Sequence, residues 1–384
     1  MDSYCALIRS ISCFLHDEKD SSLEKLGSAE LKNLYKLAFK YDLIQIVHFA
    51  LRKNGLAQND EVSSLFLEGC FRSLSRYENS EYDLKKIKNA LNLAGINYIP
   101  LKGAVIRKFY REPYYRTAGD VDVLVKKEDM QAVDKVFKKE LQYKLKSGTG
   151  YDRLYRTPSQ GIVELHFELT EEGMAGNSYK ELKNVWEYAE RKGVGTEYAL
   201  YPEFFYFYHV AHMAKHFESG SLGIRPFIDL YILSDKTGNG EKLEELLVKS
   251  KLKKFHDVAK KLCEVWFERK THDGDTEKME SFVFGGGAFG SYEMKTSVIK
   301  RRKGGRKGYI FSRIFMPYNK LINYYPSLEK HKWLLPLYEI RRWFRLFKKK
   351  KRKIALRDAA YSKTISTEKG EELYEFCKTL DIGR

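Results

Sequence analysis

Between residues 22 and 93 apolar side chains recur every three or four positions: Leu31, Leu34, Leu37 and Ala38, then Leu43, Ile46, Val47 and Ala50, and later Leu84, Ile87, Ala90 and Leu91. This is the period of helices that bury one face, and it predicts a helical region over residues 1–94. Gly95 is placed to end the last helix, since a left-handed C-terminal residue costs glycine no Cβ clash. The pattern then changes. Residues 97–101 read as a short strand, Gly103 as a turn, 104–110 as a helix, 120–125 as a second strand and 127–139 as a helix. Further strands are expected at 151–156 and 162–169. In the last, Val163, Leu165 and Phe167 alternate with Glu164, His166 and Glu168, which puts the two sets on opposite faces.

From about residue 179 onward the reading is mostly helical, with an aromatic and histidine-rich helix at 204–218 and another at 226–234. FGGGAFGS (284–291) and KRRKGGRKG (300–308) read as mobile loops. The predicted fold class is α+β. A small mixed sheet with helices, residues 95–175, follows the N-terminal helices and precedes a helical domain, 176–280, that closes a cleft. A basic, mostly helical region occupies 281–384.

The chain has 384 residues, 43% of them hydrophobic, which is enough for substantial cores and excludes a disordered or fibrous protein. Its five cysteines, Cys5, Cys13, Cys70, Cys263 and Cys377, are scattered, without the spacing of a zinc site or a disulfide framework. No segment has the run of about 20 apolar residues that a spanning helix needs, and the first 20 residues lack the features of a signal peptide. The expectation is a cytoplasmic protein without a transmembrane segment. Lys and Arg outnumber Asp and Glu by 69 to 52, a net charge of +17. This favours anionic partners, whether nucleotides, nucleic acid or acidic lipid.

Two aspartates interrupt the strand at 120–125, where they are poor strand formers and costly to bury. Asp120 and Asp122, two residues apart, project to one side and repel each other unless a cation lies between them. Glu164, in the apolar frame Val163-Glu164-Leu165, is the candidate third carboxylate, with Glu168 on the same face as its competitor. Three acids on adjacent strands can hold two divalent ions, and hard oxygen ligands suit magnesium carried by a phosphate substrate, with manganese as an alternative. Upstream, Gly103 and the neighbouring Ala104 form a turn whose backbone can approach phosphate, and Lys102 adds positive charge.

Arg107 and Arg116 are candidate phosphate contacts because a guanidinium fork matches phosphate oxygens. His209, His212 and His216 share a helix face; packing against the α/β unit is the simpler reading than zinc ligation. His166 shares a face with Glu164 and is placed to orient it or a substrate hydroxyl, or to be a satisfied structural histidine. Arg225 and Asp229, four apart, read as a local ion pair. FGGGAFGS lacks the lysine-serine or lysine-threonine of a phosphate loop and is set aside as a nucleotide site. The stretch WLLPLYEIRRWFRLFKKKKRK (333–353) joins apolar residues to a cationic block, so it is a candidate contact with an anionic membrane surface or nucleic acid, weighed against a packed helix with a solvated charge run.

The order strand, Lys-Gly, helix, Asp-x-Asp strand and later lone acid resembles the nucleotidyltransferase superfamily typified by DNA polymerase β. More narrowly, IPLKGAVIRKFY, RTAGDVDVLV and VELHFEL resemble a largely uncharacterised bacterial nucleotidyltransferase family. The likeness extends through most of residues 25–235, including HVAHMAKHFESGSLGIRPFIDL, and more loosely to YPSLEKHKWLLPLYEIRRW. It implies Gly103 as the phosphate-turn glycine, Asp120 and Asp122 as metal ligands, Glu164 as the third acid, and His212 and His216 as cleft-lining residues. The wider superfamily prefers Gly-Gly or Gly-Ser at the turn, where this chain has Gly103-Ala104, and the interval to Asp120 is longer than usual. The implied activity is transfer of a nucleotide from a nucleoside triphosphate, such as ATP, to a small molecule, a protein or an RNA end. The alternative is a fold retained without catalysis, as a regulatory or binding module of a toxin-antitoxin-like or nucleic-acid-associated kind.

Overall fold

Four amphipathic helices form the N-terminal end: α1 (Ser3–His16), α2 (Ser28–Tyr41), α3 (Ile44–Lys53) and α4 (Glu61–Leu93). The computed structural model describes all residues except 57–60, 171–175, 238–239, 289, 319–320, 323–324, 330, 347–359 and 384, so the cationic block at 348–353 lies outside the described residues. Asp2 caps α1 by accepting from the Tyr4 N–H at 3.0 Å, and Asp42 ends α2 in the left-handed conformation with φ 57°. Gly95 does the same after α4, with φ 67°. The 33 residues of α4 span two cores. Val62 and Phe66 pack with α1 to α3, whereas Leu84, Ile87 and Leu91 pack under the sheet.

The middle of the chain runs β1 (Tyr98–Pro100), α5 (Gly103–Ile106), β2 (Val121–Val125), α6 (Met130–Lys135), β3 (Lys144–Gly148), β4 (Asp152–Arg156) and β5 (Ile162–His166). The sheet order is β1-β2-β5-β4-β3, with β2 and β5 parallel and the other neighbours antiparallel. This is the small mixed sheet of an α+β protein. Strand alternation divides its faces. Val121, Val123, Val125, Val163 and Leu165 pack with α4 and with Val133 of α6, which leaves Asp122, Glu164 and His166 on the other side.

Two strand expectations change. The last strand ends at His166 rather than residue 169, and the Phe167 and Glu168 amides donate instead to the Tyr151 carbonyl. β3, unforeseen, is an edge strand whose exposed Lys144 and Lys146 replace the apolar alternation with charge. The predicted helix at 127–139 is helical throughout but changes pitch, from a 3-10 turn through α6 to a π turn at Val136–Glu140.

The remaining elements are α7 (Tyr179–Lys183), the hairpin β6 (Ala189–Arg191) and β7 (Tyr198–Leu200), then α8 (Pro202–Glu218), α9 (Arg225–Thr237), α10 (Glu241–Lys249), α11 (Lys253–Glu268), α12 (Gly274–Phe284), α13 (Tyr292–Arg302), α14 (Arg306–Ile314), α15 (Leu335–Leu346) and α16 (Glu368–Thr379). A single apolar core joins Leu7, Leu34 and Tyr41 of the first helices to Phe207, Phe227 and Leu262 of the later ones. Neither expected loop hangs free. The Tyr4 and Tyr41 hydroxyls donate to the Phe284 carbonyl at 2.9 and 3.0 Å, and the Ala288 N–H donates to the Lys40 carbonyl at 3.0 Å. Residues 300–308 form the junction of α13 and α14, where Lys300 Nζ donates to the Ile365 carbonyl at 2.6 Å.

Arg225 and Asp229 do not pair with each other. Arg225 reaches back to Asp42 at 2.8 Å and to the Thr117 carbonyl at 2.9 Å, while Asp229 takes Arg116 at 2.8 Å and the Tyr110 hydroxyl at 2.7 Å. Asp42 also accepts from Thr117 Oγ1 and Arg76, both at 2.7 Å. Burial raises the cost of ionising Asp229, and Arg116 overcomes it and holds the carboxyl below its ordinary range. Tertiary partners win because both ends of this network converge on residues 116–118, the approach to Asp120. Removing one member leaves a buried charge unanswered. Asp229→Ala is therefore expected to lower stability by about 3–5 kcal/mol and Tyr110→Phe by about 1 kcal/mol, read as shifts in the urea unfolding midpoint.

Candidate active site

The parallel pairing of β2 with β5 sets Asp122 opposite Glu164 and Leu124 opposite His166. Since all four alternate to the same face, the two carboxylates and the imidazole meet. Asp122, Glu164 and His166 each offer a ligand atom, and these atoms lie within 4.8 Å of one another. Asp120 stands just before β2. It lines the same cleft of about 470 Å³ with Lys102, Gly103 and Arg116, but it is not part of that closest convergence. Glu168 turns away to Lys127, at 4.0 Å.

Charge compensation is local. Lys102 Nζ lies 2.6 Å from Asp122 and 3.7 Å from Glu164, so the ammonium sits between the two acids. His166 Nε2 is 2.8 Å from Asp122 and 3.4 Å from Glu164. Burial pushes the Asp122 carboxyl up, but Lys102 and the His166 hydrogen bond more than reverse this and keep it well below the usual range. Asp120 has no such hydrogen-bonded partner among the described residues, and Lys102 and Arg116 offset its charge only in part. Repulsion from Asp122, and then burial, push it up to about 7.

Lys102 adopts φ 43° and ψ −118°, a conformation a non-glycine residue holds only under constraint. The amides of Ala104, Val105 and Ile106 are spent on the carbonyls of Leu101 and Lys102. α5 has only four residues, so this turn contributes a close backbone approach more than a helix terminus. A Cβ on Gly103 would stand 3.0 Å from Ala118 Cβ and 3.2 Å from Arg116 Nη1. Arg107 points behind the turn. Its Nε donates to the Gly103 carbonyl at 2.8 Å, and its terminal nitrogens bind Glu81 at 2.9 Å and Ser80 at 3.0 Å. It braces the bend from α4 and is not among the cleft-lining residues.

The three histidines of α8 part company. His209 Nε2 bonds the Pro226 carbonyl at 2.9 Å, whereas His212 and His216 face the cleft with their Nε2 atoms 3.1 Å apart. Burial lowers both cleft histidines, His216 to about 4, so the pair is neutral near pH 7. Ser221 Oγ anchors His216 Nδ1 at 2.8 Å.

Sequence spacing did not disclose Tyr208 or Arg225 as site residues. The Tyr208 ring sits one turn before His212 on α8, and Arg225 lines the cleft wall. Among the described residues, the buried Tyr208 hydroxyl and Arg225 Nε have no hydrogen-bond partner. Orphaned polar atoms beside clustered acids mark a place built for a polar ligand. The donor set of Asp120, Asp122 and Glu164, with His166 touching two of them, fits a divalent cation, and Lys102 already shows that a positive charge is accommodated there. The signal that would have singled out Tyr208 is its helical spacing from His212; Arg225 carried none.

A family model described as an uncharacterised nucleotidyltransferase matches residues 27–268, spanning α2 to α4, the sheet and the elements through α11. No curated protein and no solved structure matches the chain.

The raised carboxyl of Asp120 gives a testable expectation for the pH dependence of cation binding. Below about pH 7 its carboxyl retains a proton that an incoming cation must displace. Affinity for manganese, followed by thermal shift, is expected to rise about tenfold per pH unit from 5.5 toward 7 and then level off. Without a cation the sign reverses. A carboxyl raised in the folded state stabilises the fold below its unfolded pKa, and that contribution is lost as pH rises through about 7. Asp120→Asn should remove both trends.

Proposed function

The chain belongs to the uncharacterised nucleotidyltransferase family, and from that premise we propose that it transfers a nucleoside monophosphate from a nucleoside triphosphate to an acceptor, with release of pyrophosphate. The observation that carries the reading is the β2–β5 register, which brings Asp122 beside Glu164 next to the Lys102-Gly103 bend. On this reading the arrangement resembles that of the DNA polymerase β-like superfamily, with two magnesium ions, or manganese, as the expected cofactor. Asp120, Asp122 and Glu164 would hold the cation, which when bound supplies charge neutralisation for the phosphate chain.

The protein's own groups do the rest. Lys102 yields its place between the acids and turns to the phosphates, as its flexible stem allows. Gly103 admits the phosphate chain close to backbone, with Ala104 behind it and Arg107 fixing the bend. Arg116, held by Asp229, keeps a positive field on that side of the cleft. His166 orients Asp122 through its 2.8 Å contact. The acceptor oxygen attacks the α-phosphorus while the bond to the α–β bridging oxygen breaks and pyrophosphate leaves. Glu164, the most accessible of the four groups in contact at 28% side-chain exposure, takes the acceptor proton. The neutral His212–His216 pair lines the acceptor side. The rate arises from positioning and charge stabilisation.

The test is label transfer. The full chain is incubated with magnesium and each α-labelled nucleoside triphosphate, with and without cell extract. Transfer with pyrophosphate release is expected, reduced about a hundredfold or more in Asp122→Ala and absent in the Asp120→Ala/Asp122→Ala double variant. Transfer that survives the double change overturns these roles, and tight nucleotide binding without transfer assigns the fold to a binding module instead.

A further inference from the structure

The FGGGAFGS segment, set aside as a phosphate loop, walls a second cavity beside the nucleotide site. This cavity is larger, about 930 Å³, and lies between the end of α2, the middle of α4 and residues 285–288 and 290–291. It meets the catalytic cleft at Gly119 and Ala288, which line both. Gly119 directly precedes Asp120, and a Cβ there would meet nothing within 4 Å, so no neighbouring atom crowds that side of the shared residue. Its size falls at the upper end of the range for small-molecule pockets.

The glycines shape the wall by close approach. A Cβ on Gly290 would come within 2.3 Å of the Gly220 carbonyl, and one on Gly287 within 3.2 Å of the Lys40 carbonyl. Gly287 and Gly290 are thus pressed against the end of α2 and the residues after α8, where a side chain would not fit.

The charge of the lining is one-sided. Lys40, Arg72 and Arg76 contribute three cations, and Asp42 is the one acid. Asp42 is already shared by Arg76, Arg225 and Thr117. Among the described residues Arg72 forms an ion pair with Glu68, four residues before it, at 2.8 Å, both about half exposed or more, and donates a long hydrogen bond of 3.4 Å to the Tyr35 hydroxyl. Such an exposed helical pair is worth about 0.3–0.5 kcal/mol, so a ligand anion displaces it readily. Phe39 and Ile44 add apolar surface.

We propose that this cavity binds the acceptor, and that the acceptor is a small molecule carrying an anionic group, a phosphate or carboxylate, at the end opposite its reacting hydroxyl. Arg72 and Lys40 receive the anion, and the hydroxyl reaches past Gly119 to the acids. The inference rests on the cleft being the nucleotide site. It excludes polycationic acceptors, which the lining repels, and sets a phosphorylated or carboxylated small molecule against an RNA end as the source of the anion.

The test uses the full chain with magnesium and a non-hydrolysable ATP analogue. Glycerol 3-phosphate, 3-phosphoglycerate, glycerol and a ten-nucleotide RNA are each titrated, with binding read by thermal shift and calorimetry. The two small anions are expected to bind alongside the nucleotide and glycerol not to. Lys40→Gln/Arg72→Gln, at two exposed positions outside the nucleotide cleft, should weaken the anions about tenfold or more with nucleotide binding unchanged. Competition with the nucleotide, undiminished binding to the double variant, or no binding of either anion overturns the assignment. Binding of RNA alone transfers the cavity to nucleic acid. Anion binding that depends on Lys40 and Arg72 in a protein that binds no nucleotide refutes the reading of the cleft and leaves this one standing.

Discussion

The protein is organised around an electrostatic conflict that its sheet creates. Pairing β2 with β5 in parallel buries Asp122 at 3% side-chain exposure directly beside Glu164, with Asp120 close by. Two like charges about 4 Å apart in a partly buried setting repel by about 4 kcal/mol. The fold tolerates them only because Lys102 and His166 answer them. Apolar burial on the opposite face, from Val121, Val123, Val163 and Leu165 onto α4, holds the register that forces the meeting. Hydrophobic packing on one side of the sheet thus maintains a concentration of negative charge on the other.

Around that centre, buried ion pairs serve placement. The Arg116–Asp229 and Arg225–Asp42 pairs fasten the segment before Asp120 to α9 and to the end of α2. Such pairs contribute little net stability compared with apolar replacements, but they are strict about geometry. Because α2 and α9 also share one apolar core, the position of Asp120 is tied to helices at both ends of the matched region.

Much of this was legible in the sequence because it follows from short-range rules. Period-two alternation placed Asp120 and Asp122 on one side, and the apolar frame around Glu164 marked its strand. The preference for Glu164 over Glu168 could not be decided by alternation; it follows from β5 ending at His166, where the amides of Phe167 and Glu168 turn to Tyr151. Arg225 and Asp229 misled because four-residue spacing always offers a local pair, whereas the partner Arg225 takes is 183 residues away in the chain. Arg107 looked like a phosphate ligand from its place after the glycine turn, yet its side chain runs backward to Ser80 and Glu81. β3 escaped because an edge strand guarded by lysines has no apolar signature.

One continuous rod underlies both cavities. Arg72 and Arg76 reach the larger cavity from α4, and Ser80 and Glu81, about one to two and a half turns further along, clamp the guanidinium that props the glycine bend. From residue 72 to residue 81 the axial rise is about 13–14 Å, a length fixed by backbone hydrogen bonds. The helix is in effect a molecular ruler. It fixes the spacing between the cationic wall of the larger cavity and the brace of the glycine bend, so neither can shift along the chain without the other.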